Sequence, residues 1–135
     1  MADARVPTVL VVDDDERNRQ LAVLGMGGQG WHVLEASGGL EALILTEQHH
    51  PDVIVLDIQM PGVDGLEVLR RLRAHHDARV SQAWVLAATA LAMPGDRQRC
   101  IGAGASDYLS RPFSFKELRA RVSAALEQLQ PSSVK

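Results

Sequence analysis

Residues 53–57 constrain the fold of this chain more than any other stretch. Positions 53–56 are Val, Ile, Val and Leu, and Asp57 follows directly. Four consecutive apolar residues predict a strand that is covered on both faces, as in a parallel sheet with helices on each side. Open α/β sheets bind their ligands at the carboxyl ends of the strands. We therefore expect Asp57 to lie in a functional site.

The same pattern recurs along the chain. Further strands are predicted at 8–12, 31–36, 84–89 and 107–110, and segments with helical spacing separate them. Regular alternation of strand and helix is typical of a doubly wound parallel sheet. Right-handed crossovers then favour the flavodoxin-like strand order 2-1-3-4-5, with five helices around the sheet.

Short motifs predict where the helices begin. Asp64 with Glu67, and Ser114 with Glu117, have the spacing of capping boxes, in which a side chain bonds the backbone of the first helical turn. Ser37 is expected to cap the second helix through its hydroxyl group. These signals predict three of the five helix starts.

Apolar spacing predicts which helix faces are buried. Leu21 and Leu24 share one face of the first helix, and Pro94 and Gly104 suit the first turn and the end of the fourth. Residues 75–81 are polar and predict a connection without a helix. The last helix is expected to bury Phe115, Leu118, Val122, Ala125 and Leu129.

Composition limits the classes of function. A chain of 135 residues with 46% hydrophobic content fits one domain, which we place at 8–130 between a flexible N-terminus (1–7) and a tail or the start of a linker (131–135). A net charge of -3 with scattered basic residues gives no reason to expect direct binding of nucleic acid or membrane. A single cysteine, no signal-peptide pattern and no membrane-length apolar run predict a cytoplasmic protein.

Five residues that are distant in sequence fall at or just after predicted strand ends. Three carboxylates brought together at that edge would repel one another unless a cation lies between them, and hard oxygen ligands suit Mg²⁺. A hydroxyl group and a fixed positive charge opposite them could stabilise the oxygens of a phosphoryl group. The pattern therefore indicates phosphoryl transfer to a carboxylate. These residues are Asp13, Asp14, Asp57, Thr89 and Arg111.

Four ordered motifs make the chain similar to the receiver domains of response regulators, the CheY-like family of two-component signalling. The motifs are residues 11–14, 56–65, 88–90 and 104–113, and the resemblance runs from Thr8 to about Gln130. It implies that Asp57 accepts a phosphoryl group from the phosphohistidine of a histidine kinase or a histidine phosphotransfer protein.

The resemblance also implies a cofactor. Asp13 and Asp14 would hold Mg²⁺ or Mn²⁺ together with Asp57 and the backbone carbonyl of Gln59. Such a domain takes part in its own phosphorylation and dephosphorylation without being a conventional enzyme.

A second set of residues would respond to phosphorylation. Thr89, beside Ala90, would bond a phosphoryl oxygen and act together with Tyr108. The resemblance implies that they shift the surface formed by the fourth helix, the fifth strand and the fifth helix. A downstream protein, an output domain or, after phosphorylation, a second copy of the chain would bind that surface.

Arg111 stands where the family usually has lysine. Arginine keeps the charge but is a planar fork, so the exchange is not conservative at a tight site. We expect Arg111 to contact the phosphoryl group; the simpler alternative is that it pairs with Asp57 or with a surface carboxylate. By the same resemblance, the bond to Pro112 is expected to be cis.

Three other functions compete with this interpretation. A degenerate receiver, suggested by Arg111, would bind partners independently of phosphorylation. An aspartate-nucleophile phosphatase would need a second carboxylate two residues after Asp57, where Gln59 cannot act as an acid or base. A flavodoxin would need a hydroxyl-rich phosphate loop after the first strand, where residues 13–16 are all acidic.

We predict that Leu91→Glu shortens the lifetime of the acyl phosphate. The family varies the residues two positions after the acceptor and two positions after the hydroxyl residue, here Gln59 and Leu91. An apolar Leu91 would restrict the attacking water, so a charged side chain should speed hydrolysis. The decay of the phosphorylated protein measures this, and an unchanged half-life would remove the basis for the prediction.

Overall fold

The computed structural model describes residues 6–60, 64–89, 94–110 and 114–129. Within them the chain forms five strands and six helices, which alternate except that two successive helices precede the fourth strand. They are β1 (Thr8–Val12), α1 (Glu16–Gly25), β2 (His32–Ala36), α2 (Gly39–His49), β3 (Val53–Asp57), α3 (Gly65–Arg73), α4 (Ala78–Ser81), β4 (Trp84–Thr89), α5 (Asp96–Ala103), β5 (Asp107–Ser110) and α6 (Phe115–Leu129).

The five strands form one parallel sheet in the order β2-β1-β3-β4-β5, which confirms the predicted topology. The register aligns the carboxyl ends of the central strands. Val12 lies beside Leu56, and Asp57 lies beside Ala88. The residues that follow β1 therefore lie level with the last residue of β3.

Two apolar layers cover the sheet. One layer packs the sheet residues Leu10, Ile54 and Leu56 against α2, α3, α4 and α5. The other packs Val9 and Val55 against α1 and α6. Because successive strand residues point to opposite faces, a strand between two layers is apolar at every position, which explains the uninterrupted runs in the sequence.

The prediction of five helices omitted the short α4, which lies in the segment expected to be a simple connection. Asp77 caps this turn, since its carboxylate accepts the Arg79 N–H at 2.9 Å. Val80 is only 1% exposed and anchors the turn in the core. One buried side chain is too weak a periodic signal to predict a helix from sequence.

The prediction that Ser37 caps α2 was wrong. Gly38 is the N-cap residue, and its extended backbone makes no side-chain cap. Ser37 instead donates its N–H and hydroxyl to the Glu41 carboxylate, at 2.7 and 2.9 Å. These hydrogen bonds hold the pKa of Glu41 below its usual value. The Ser37 hydroxyl therefore donates to a side chain of the helix, whereas a capping hydroxyl would accept a backbone N–H.

Some helix faces also differ from the prediction. Leu21 and Leu24 are 40% and 75% exposed, because α1 packs its other side against the sheet. On α6, Phe115 and Leu129 are 40% and 43% exposed, whereas Leu126 is buried together with Leu118, Val122 and Ala125. At the start of α5, Pro94 precedes the helix, whose N-cap is Gly95, and Gly104 ends it with a φ of 118° as expected.

No helix within the described residues is both long and apolar enough to cross a membrane.

Arg73, the last residue of α3, ties together the two segments that lead into β4 and β5 at the amino edge of the sheet. Its guanidinium donates to the carbonyl oxygens of Gly104, Ser81 and Ala83 at 2.8, 2.9 and 2.7 Å. It also donates to the Ser106 hydroxyl at 3.3 Å. Burial lowers the pKa of Arg73 from its usual value. The guanidinium therefore supplies donors to three backbone carbonyl oxygens in the segments that lead into β4 and β5.

We expect Arg73→Met to lower the free energy of unfolding by about 2–3 kcal/mol, because backbone carbonyls lose their donors while the apolar stem is kept. Within the described residues, the side chain of Arg70, on the exposed side of the same helix, forms an ion pair with Glu67 and no other contact of this kind. Arg70→Met should therefore cost less than about 0.5 kcal/mol. Urea denaturation measures both variants, and equal losses would contradict the role given to Arg73.

Candidate functional site

Three carboxylates meet at the carboxyl edge of the sheet. Asp13 and Asp14 follow β1, and Asp57 ends β3 on the neighbouring strand. One oxygen from each carboxylate lies within 4.8 Å of the others. Asp13 and Asp57 are 2% and 8% exposed, whereas Asp14 is exposed to solvent. The structure thus brings together the three acids that the sequence placed at strand ends.

Hydrogen bonds fix the Asp13 backbone on both sides. Its N–H donates to the Ala36 carbonyl on β2 at 3.1 Å, and its carbonyl accepts from Arg19 Nη1 at 2.8 Å. Its carboxylate accepts the Asp15 N–H at 2.9 Å, while Asp15 itself caps α1. The turn after β1 is therefore held by its neighbours on β2 and α1.

Asp57 is oriented by the segment that follows it. Its Oδ1 accepts the Gln59 N–H at 3.0 Å, and the Ile58 N–H continues the sheet by donating to the Ala88 carbonyl at 3.2 Å. Gln59 is exposed and thus lies at the mouth of the site.

Gly65 lets the first turn of α3 approach β3 closely. A Cβ atom there would lie 2.7 Å from the Asp57 carbonyl oxygen and 2.5 Å from Ile58 Cα. The Gly65 N–H donates to the Ile58 carbonyl at 3.1 Å, and Asp64 caps α3 by accepting the Glu67 N–H at 2.9 Å. The predicted helix cap at Asp64 is confirmed, and the backbone of α3 rests directly against that of the acidic strand end.

Thr89 and Tyr108 lie on the strands beyond Asp57. Thr89 ends β4, is 1% exposed and pairs in register with Ser110 on β5. Tyr108 is half-buried on β5 and packs against the apolar layer that contains Cys100 of α5. Burial raises the pKa of Tyr108, and the neighbouring Cys100 adds to this effect. Its hydroxyl group thus stays protonated at neutral pH.

Four residues with predicted roles lie outside the described residues. They are Ala90, Leu91, Arg111 and Pro112. Their contributions to the site, including the cis bond before Pro112, stay predictions.

A cleft of about 480 Å³ opens beside the acidic cluster, between the end of β3 and α5. Sequence reasoning missed one pair of its residues: Asp96 is 4% exposed at the start of α5 and pairs with Arg99 one turn later. Their three-residue spacing could have suggested this pair. The lining residues are Ile58, Gln59, Met60, Asp64, Leu66, Thr89, Asp96, Arg99 and Cys100.

The donor set of the acidic cluster suits a hard divalent cation. All three donors are carboxylate oxygens, which Mg²⁺ prefers over nitrogen or sulfur. Burial of Asp13 and Asp57 strengthens the repulsion among the three negative charges, and a cation among them would offset it. Because Asp14 is exposed, such an ion could keep several water ligands, as Mg²⁺ usually does.

The strand order and the acidic edge define a doubly wound α/β domain with its site at the carboxyl ends of the strands. Residues 9–123 match the family model of the response regulator receiver domain. The chain belongs to this family, whose members are the receiver domains of two-component response regulators.

Curated relatives agree with this assignment. The response regulator MprA of Mycobacterium sp. (strain KMS) is 41% identical over 123 residues, which cover 91% of this chain and 52% of that protein. MprA of Mycobacterium leprae (strain TN) is 39% identical with the same coverage. The chain spans about half the length of the curated relatives it matches.

Solved structures share the fold. The receiver domain of the Francisella response regulator 1452 aligns with a TM-score of 0.83 and 33% identity, covering 92% of this chain and 99% of that one. Chemotaxis protein CheY4 of Vibrio cholerae gives 0.82 and 27%, covering 90% and 99%. A probable two-component system response regulator/GGDEF domain protein gives 0.83 and 34%, covering 93% of this chain and 51% of that one.

We expect Gly65→Ala to lower the free energy of unfolding by about 1–3 kcal/mol, because the new methyl group would overlap backbone atoms that cannot move aside independently. Gly102 in α5 has nothing within 4 Å of its Cβ position. Gly102→Ala should therefore stabilise the protein by about 0.5–1 kcal/mol through helix propensity. Thermal and urea denaturation compare the two, and a neutral Gly65→Ala would contradict the close approach.

Proposed function

We propose that Asp57 accepts a phosphoryl group from the phosphohistidine of a histidine kinase or a histidine phosphotransfer protein. The reaction would depend on Mg²⁺ or Mn²⁺, held by Asp13, Asp14, Asp57 and the backbone carbonyl of Gln59. The observation that carries this proposal is the approach of the three carboxylates to within 4.8 Å at the carboxyl edge of the sheet.

The transfer exchanges one bond to phosphorus for another. A carboxylate oxygen of Asp57 forms the new P–O bond as the P–N bond to the donor histidine breaks, and the imidazole nitrogen retains that electron pair. The Gln59 N–H, which bonds Asp57 Oδ1 at 3.0 Å, orients the carboxylate for attack. When bound, the divalent cation would stabilise the negative charge on the phosphoryl oxygens.

Asp57 is recessed but open to a donor. At 8% exposed it lies at the base of an edge whose outer carboxylate, Asp14, is in solvent. A recessed acceptor favours a partner that presents a histidine on a protruding surface. It also limits the access of water to the acyl phosphate. Leu91 would limit that access further, and Gln59 is the second position proposed to tune the lifetime of the acyl phosphate.

The response to phosphorylation would run through β4 and β5. The phosphoryl group adds about -1.5 to -2 charges and three acceptor oxygens. Thr89, beside Ala90, would donate its hydroxyl to one oxygen, and Arg111 would contact another. Tyr108 on β5 packs in the same apolar layer as Cys100 of α5. Because Thr89 and Tyr108 would act together, a shift of Thr89 would move Tyr108 and so change how α5 lies on β5.

The surface formed by α5, β5 and α6 is then the switched binding surface. These elements are the fourth helix, fifth strand and fifth helix of the sequence prediction, renumbered because of the extra α4. A downstream protein, an output domain or a second copy of the chain would bind there. Since the net charge is -3, we propose no direct contact between this domain and nucleic acid or membrane.

Phosphorylation should require Asp57. Incubation with phosphoramidate and Mg²⁺ is expected to add one phosphoryl group to the wild-type protein, visible as a labile mass gain, and none to Asp57→Asn. Asp15→Asn is the matched control, because it also replaces an acid near the site and because asparagine caps α1 as well as aspartate does.

Two outcomes would count against the proposal. A mass gain that persists in Asp57→Asn would place the acceptor elsewhere. Repeated failure to phosphorylate the folded wild-type protein in the presence of Mg²⁺ would favour a degenerate receiver that binds its partners constitutively.

A further inference from the structure

Arg19 joins three elements beside the acidic cluster. It lies on α1, and only 15% of its side chain is exposed. Its Nη1 donates to the Asp13 carbonyl after β1 at 2.8 Å, and its Nε donates to Glu35 Oε1 on β2 at 3.1 Å. The guanidinium thus lies directly behind the turn that carries Asp13 and Asp14.

We infer that Arg19 is a positioning residue for the divalent cation, an inference that rests on the proposed function. The carbonyl that Arg19 holds belongs to the peptide joining Asp13 to Asp14. Since a peptide unit is planar, a hydrogen bond to its oxygen fixes the orientation of the whole unit. The directions in which Asp13 and Asp14 leave the backbone follow from that orientation.

Two other hydrogen bonds within the described residues hold the peptide units on either side of this one. The Asp13 N–H, bonded to Ala36, fixes the preceding peptide unit. The Asp15 N–H, bonded to the Asp13 carboxylate, fixes the following one. Arg19 supplies the hydrogen bond to the unit between them. Asp14 is exposed, so packing contributes little to its position.

The shape of arginine suits this role. A guanidinium is a rigid fork with five N–H donors and can bond two acceptors at once, here a carbonyl oxygen and a carboxylate. Glu35 also offsets the positive charge of Arg19, which would otherwise repel a cation at the cluster. A lysine could keep the charge but would not reproduce both hydrogen bonds in a fixed geometry.

Positioning and charge act on cation affinity with opposite signs. Loss of the Arg19 charge alone would strengthen cation binding, because one source of repulsion is removed. Loss of the hydrogen bond to the Asp13 carbonyl would loosen two ligands and weaken binding. Removing a residue that orients a metal ligand through a hydrogen bond typically weakens metal affinity by about tenfold or more. The sign of the effect therefore distinguishes the two roles.

A titration of the full chain with Mn²⁺ tests this inference. The electron paramagnetic resonance signal of the free ion measures how much Mn²⁺ is bound. We expect roughly tenfold weaker binding for Arg19→Ala and a smaller loss for Arg19→Lys. Arg17→Ala is the matched control, because Arg17 is an exposed arginine on the same helix. It removes the same charge and should leave the dissociation constant unchanged or slightly lower.

The rate of phosphorylation provides a second readout. With phosphoramidate as donor, Arg19→Ala should need more Mg²⁺ for half-maximal rate yet approach the wild-type rate at saturating Mg²⁺. A lower rate at saturation with unchanged Mn²⁺ affinity would overturn the inference. If Arg19→Ala does not melt cooperatively, Arg19→Lys carries the test, and wild-type affinity in that variant would overturn the inference.

The outcomes also separate the two proposals. Wild-type protein that binds Mn²⁺, together with Arg19→Ala of equal or higher affinity, would overturn only the role of Arg19. So would a loss of affinity in Arg17→Ala as large as that in Arg19→Ala. Wild-type protein that does not bind Mn²⁺ would overturn the proposed function itself.

Discussion

Mutual repulsion among three carboxylates is the constraint on which the architecture of this domain depends. Asp13, Asp14 and Asp57 offer oxygens within 4.8 Å of one another, and two of these side chains are buried. Like charges in such an arrangement favour separation, so the backbone that carries them has to be held firmly. The parallel pairing of β1 with β3 fixes the position of Asp57 relative to the end of β1. The hydrogen bonds around Asp13 fix the turn that carries Asp13 and Asp14. The energy stored in this repulsion is what a divalent cation would release on binding.

The rest of the sheet explains why the strand ends keep their positions. β1, β3 and β4 are covered on both faces by apolar layers, so their backbones are fixed by packing as well as by hydrogen bonds. Gly65 then brings α3 into backbone contact with the end of β3, at distances that leave no room for a side chain. The Asp57 carboxylate thus lies on a rigid base, which suits a site where atoms have to be placed accurately.

Features carried by local sequence could be predicted, and those created by tertiary contacts could not. The uninterrupted apolar run before Asp57 indicates a strand buried on both faces, and such strands lead directly to the sheet order and to the acidic edge. The exposed Leu21 and Leu24 show the limit of this reasoning, because periodicity gives the spacing of a helix face but not which side meets the sheet. Arg19 gave no signal in the sequence, since its two acceptors come from elements that meet only in the folded domain.

The anchoring of α5 by Arg73 has a mechanical consequence. The C-terminal end of this helix, at Gly104, is bonded to α3 at the amino edge of the sheet, whereas its N-terminal end lines the cleft beside Thr89. A helix held at one end responds to a sideways force at its other end by rotating about the held end, not by translating as a whole. A small displacement near Thr89 would thus become a change of helix angle, which alters the outer face of α5 most at the end remote from its anchor.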